Sequence, residues 1–86
     1  MKDLILYQCR KLLASCGSVD SSQDRLMLTD AKEETLGTVA AYLELLGLWV
    51  EAREEASLLL SGEGGLSVAL AYSAEAKTLC LTVEQK

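Results

Sequence analysis

The stretch Leu48-Trp49-Val50-Glu51-Ala52-Arg53-Glu54-Glu55-Ala56-Ser57-Leu58-Leu59-Leu60 decides the fold, because it fits two periods at once. Wound as a helix, it gathers Leu48, Trp49, Ala52, Ala56, Leu59 and Leu60 on one arc and leaves Val50 and Leu58 outside. Extended, it places Leu48, Val50, Ala52, Ala56, Leu58 and Leu60 on one face, with Glu54 alone out of place. The run Glu-Ala-Arg-Glu-Glu-Ala has helix-favouring composition, but the alternation fits better. A strand is therefore expected here, with a bulge near Glu54-Glu55 dividing it into two ordinary lengths.

Downstream the pattern is plainer. Gly62-Glu63-Gly64-Gly65 is turn chemistry, and Ser67-Val68-Ala69-Leu70-Ala71-Tyr72 then alternates, with Val68, Leu70 and Tyr72 facing one way. After a turn around Ser73–Lys77, Leu79, Leu81 and Val83 form a second apolar face. These two segments make an antiparallel hairpin, to which the segment before Gly62 adds a third strand. Cys80 falls on the opposite face with Thr78 and Thr82. Ser67, Ala69 and Ala71 also lie there, on a small, flat, weakly polar surface that meets either solvent or a copy of itself.

Upstream, residues 3–16 read as an amphipathic helix with Ile5, Leu6, Cys9, Leu12, Leu13 and Cys16 in one arc, ended by Gly17. Residues 17–24 are small and polar and read as a loop. Residues 25–28 are open between a short extended piece and a helical turn. Asp30 followed by Glu33 resembles a capping box that starts a second helix, with Leu36, Val39, Tyr42, Leu43 and Leu46 as its apolar arc and Gly47 as its stop. Gly37 and Ala41 fall in the middle of that helix's acidic face. Small residues four apart admit another backbone, so together with the acids they outline a shallow, acid-rimmed groove for a partner.

The fold class expected is α+β, one domain over residues 1–86: two N-terminal helices packed on a C-terminal three-stranded antiparallel meander. The alternative is three helices plus a two-stranded hairpin. The chain's 86 residues include 18 Leu and 10 Ala but one Trp, three Tyr and no Phe, so the core is aliphatic. A domain this short hides only about 60% of its unfolded surface, which makes burial against a second copy attractive. A homodimer is expected, and an unprotected edge strand adds to that expectation.

The net charge of −5 is uneven: residues 1–25 carry four bases and three acids, residues 26–86 four bases and ten acids. Arg10-Lys11 is the one adjacent basic pair, so direct nucleic-acid binding and anionic membrane surfaces are poor expectations. Apolar runs are too short to span a bilayer, and the basic-apolar start Met1–Leu6 is interrupted at Gln8, Arg10 and Lys11 before a signal core could form. The reading is cytoplasmic.

The chain has no His and three cysteines, Cys9, Cys16 and Cys80, whose spacings match neither a zinc knuckle nor a Cys-x-x-Cys motif. No metal, cofactor or catalytic residue is assigned. The Gly-rich loop at Gly62–Gly65 lacks the Lys-Ser or Lys-Thr of a phosphate loop. What remains is a non-enzymatic protein-interaction module, an adaptor, small subunit or inhibitor, whose acidic surface docks on a basic surface of another protein. Trp49, Glu51, Glu54, Glu55, Gly37 and Ala41 are the expected partner-binding residues, Trp49 because tryptophan is enriched at interface hot spots. Two alternatives are an acidic inhibitor occupying the phosphate site of a nucleic-acid-binding protein, and a small-ligand binder or enzyme using Cys80 in a dimer cleft.

Overall fold

A computed structural model describes residues 2–86. Helix α1 (Lys2–Ala14) is followed by strands β1 (Ser18–Ser22) and β2 (Arg25–Thr29). Helix α2 (Glu33–Leu45) then leads to β3 (Trp49–Glu54), β4 (Ser57–Ser61), a short 3-10 turn at Glu63–Gly65, β5 (Leu66–Ser73) and β6 (Thr78–Gln85). All strands join one antiparallel sheet in the order β1-β2-β6-β5-β4-β3. Each helix precedes a hairpin whose first strand lies at a sheet edge and whose second lies inside, and the β5–β6 hairpin fills the centre.

Both helices cover the same face. α1 packs over β1, β2 and β6, and α2 over β3, β4 and β5. The core between them is aliphatic: Ile5, Cys9 and Leu13 from α1, Val39 and Leu43 from α2, and the inward rows of the sheet, Leu26 and Leu28, Leu79, Leu81 and Val83, Val68 and Leu70, Leu58 and Leu60. In α1 the four-residue spacing of Ile5, Cys9 and Leu13 stacks them on one stripe. α2 ends in a Schellman motif, in which Leu48 N–H donates to the Leu43 carbonyl at 3.1 Å and Gly47 N–H to the Glu44 carbonyl at 3.1 Å, with Gly47 at φ +100°. At the other end of α1, Gly17 passes so close to β2 that a Cβ there would lie 2.9 Å from the Thr29 carbonyl oxygen.

The class is α+β, but the three-stranded meander is wrong, and so is the alternative of three helices and one hairpin. The sheet has six strands. Residues 17–24 are not a loop: Ser18–Ser22 is edge strand β1, too polar and short to show a strand signal, held by β2 in full register. Arg25–Thr29 is extended, and pairs with β6 on its other side. Residues 48–60 are strand, but the break at Glu55-Ala56 is a hairpin turn, and the bulge lies earlier, between Val50 and Ala52. Asp30 caps nothing. It sits at φ +58° in the connection, and Lys32 takes the N-cap position without a side-chain bond. Cys16 is exposed, because α1 unwinds after Ala14, two residues before the apolar arc would have carried the thiol inward.

Candidate functional site

The bulge in β3 builds the site. Val50 pairs with Leu60 on the helix side, but Ala52 pairs with Leu59 on the open side, so the alternation reverses phase across Glu51. Arg53, opposite Leu58, is thereby turned to the helix side of the sheet, where it stays exposed. The hairpin turn that follows carries Glu54 and Glu55, and the turn is fixed to the sheet by a bond from Tyr72 N–H to the Ala56 carbonyl at 2.9 Å.

Across from this hairpin tip lies the outer face of α2. Glu33, Gly37, Ala41 and Glu44 share it, one helical turn apart. Between helix and hairpin opens a groove of about 330 Å³ whose floor is Gly37, Ala40 and Ala41, with Leu36 and Leu58 beneath and Glu33, Glu44, Glu54, Glu55 and Arg53 around the rim. A Cβ at Gly37 would meet nothing within 4 Å, so the floor is open above the helix backbone.

The rim carries four carboxylates and one guanidinium, a net −3 of the chain's −5. None of them is neutralised within the fold: the one salt bridge among the described residues is Lys2 Nζ to Asp24 Oδ1 at 2.7 Å, elsewhere. Like charges around a concavity with low-dielectric walls concentrate a negative potential there. The lining residues include no thiol, hydroxyl or amine, so what the groove can do is attract and hold positively charged groups. The carboxylates are spread along the rim: no three His, Cys, Asp or Glu side chains among the described residues gather as a metal-ligand set.

Four of the six expected partner-binding residues, Gly37, Ala41, Glu54 and Glu55, therefore meet in one groove although they come from two separate segments. Trp49 and Glu51 do not. Trp49 pairs with Ser61 on the open face of the sheet, 48% exposed, and its indole Nε1–H donates to Glu51 Oε1 at 3.3 Å. Glu33 and Glu44 were legible as part of the acidic helix face. Arg53 was missed, because a regular strand would have pointed it outward. The one signal was Glu54, the residue that spoiled the alternation.

The cysteines occupy three different environments. Cys9 is buried in the core, and burial pushes its thiol up from 9.0 to about 11. Cys16 is exposed, and Cys80 lies half-buried between Met27 and Ala71 on the open face. No helix is long and apolar enough to cross a membrane among the described residues. No protein-family model, no curated protein and no solved structure matches this chain.

Proposed function

We propose that this chain is a non-enzymatic protein-interaction module that receives a basic segment of another protein in the groove between α2 and the β3–β4 hairpin. The observation that carries this reading is the convergence of Glu33, Glu44, Glu54 and Glu55 around a floor of Gly37 and Ala41. A Lys or Arg side chain laid across that floor meets two or more carboxylates, and the bare helix backbone at Gly37 leaves room for the chain that carries it. The same reading has the protein working in the cytoplasm, where its three free thiols persist, and as a homodimer.

The acids are placed to receive a basic peptide rather than to occupy the phosphate site of a nucleic-acid-binding protein. They surround a concavity instead of forming a convex stripe, and an inserted side chain suits that shape.

The test is a titration of isotope-labelled protein with a Lys/Arg-rich peptide and with its Gln-substituted counterpart, followed by amide shifts. The expected result is saturable movement of the Gly37, Ala41, Glu54 and Glu55 resonances with the basic peptide alone, weaker at high salt and abolished by Glu54→Lys with Glu55→Lys. Shifts scattered over the surface, or unaffected by the charge reversal, overturn the reading.

A further inference from the structure

The face of the sheet away from the helices carries Met27, Cys80, Ala69, Ala71, Leu59 and Trp49, with Asp20, Arg25, Glu54 and Glu84 among its charged residues, and none of the described elements covers it. We infer that its occupant is a second copy of this chain, stacked face to face about a two-fold axis parallel to the strands. This rests on the self-association reading and shares with the acidic groove, which opens on the other side of the sheet, only the edge residue Glu54.

The two ends of the face are complementary in shape. Trp49 projects from edge strand β3. At the opposite end of the same face, Asp20, Ser22, Arg25, Met27 and Thr82 line a hollow of about 400 Å³ closed by the Gln23-Asp24 turn. A two-fold axis along the strands lays β3 of one copy over β1 and β2 of the other, so the projecting end of each copy meets the hollow end of its partner. The heights agree as well. Ser22, Arg25, Thr82, Ala69, Leu59 and Ala52 form one row across the sheet. Trp49 lies one row beyond, level with the turn that closes the hollow. The indole then sits over the Gln23-Asp24 turn and beside Arg25, whose guanidinium suits an aromatic face.

The face is also large enough for a dimer contact. Six strands spaced about 4.8 Å apart and roughly 20 Å long give a footprint on the order of 500 Å². That is about a tenth of the 5329 Å² the chain exposes, and two copies together reach the roughly 1,000 Å² at which a specific interface becomes credible. The centre of the face, Ala69 and Ala71, is small enough for close approach.

The sheet edges are poor alternatives to the face. Pairing through sheet edges is blocked: β3 is bulged and carries Glu51, Arg53 and Glu54, and β1 is short, polar and carries Asp20. The edge that the sequence left unprotected is guarded, and the face remains. The same axis brings Asp20 of one copy toward Glu54 of the other at the rim and sets the Glu84 carboxylates of the two copies near one another beside the axis. Screening this repulsion makes the dimer tighter in salt, the reverse of what the groove's ligand does.

Sedimentation equilibrium on the full chain at low and high salt tests this, with Ala69→Glu, Trp49→Ala and Glu55→Lys alongside and circular dichroism to confirm that each variant folds. The expected result is a dimer that salt strengthens, that Ala69→Glu dissociates, that Trp49→Ala weakens at least tenfold and that Glu55→Lys leaves paired. Maleimide labelling of Cys80 slows as the protein concentration rises, while that of Cys16 stays constant. A monomer at all concentrations overturns the inference, as does a dimer indifferent to Ala69→Glu. A dimer that Trp49→Ala leaves unchanged overturns the two-fold arrangement. Failure of the groove reading, seen by peptide titration, moves none of these measurements.

Discussion

The Tyr42 hydroxyl donates to Gln8 Oε1 at 3.0 Å, joining the two helices across 34 residues of sequence at the top of an otherwise aliphatic layer. Gln8 is half-buried, so water replaces the phenol in part when it is removed. Tyr42→Phe should cost about 1 kcal/mol or slightly less, read as a fall in the urea midpoint at unchanged m-value. An unaltered midpoint would show that the helices are held by the sheet alone.

Gly37→Ala should stabilise the protein by about 0.5–1 kcal/mol, because the added methyl meets nothing within 4 Å and alanine restricts the unfolded chain. Gly37→Leu separates fold from function. It fills the groove floor without touching the core, so the melting temperature should rise by a few degrees as for Gly37→Ala, while binding of the basic peptide is lost.

Cys9 makes stability fall in alkali. Its native thiol is held neutral up to about 11, against 9.0 ordinarily, so the unfolded chain releases a proton first as the pH rises. The contribution is fully present below pH 9 and is lost between pH 9 and 11, a loss on the order of 2 to 3 kcal/mol. Urea titrations at pH 8 and pH 10.5 should show a loss in the wild type that is smaller in Cys9→Ala, once the latter's constant cavity cost is subtracted.

Leu81 lies fully buried on β6, the strand that joins the two halves of the sheet. Leu81→Ala should cost about 2–5 kcal/mol by lost burial and cavity formation, a large share of the roughly 4–13 kcal/mol expected for a chain this size. Chemical denaturation measures it directly; a loss below about 1 kcal/mol would mean the layer collapses around the vacancy.

Much of the fold was legible where one period dominated. Ile5, Cys9 and Leu13, or Leu79, Leu81 and Val83, bury one clean stripe each, and those elements lie where their patterns place them. β1 was not legible because Ser18–Ser22 contributes only Val19 to the core side and owes its conformation to pairing with β2. The turn at Glu55-Ala56 was hidden because it contains neither Gly nor Pro, and helix-favouring residues occupy both positions. The groove was half legible. The acidic, small-residue face of α2 is a property of local spacing, but which hairpin closes it depends on tertiary placement. Trp49 and Glu51 do meet, on the open face, and it is Arg53 that the bulge turns away from them.

Four of the five strand pairings connect neighbours in sequence, and the fifth, β2 with β6, joins residues 25–29 to residues 78–82. The chain from α2 onward can zip together through short loops, whereas docking of the α1–β1–β2 unit must close a gap of about 50 residues. We expect the β2–β6 seam to form last and to open first. Truncations such as Leu28→Ala should then speed unfolding while barely slowing refolding, and amides of β1 and β2 should exchange with solvent ahead of those in β4 and β5.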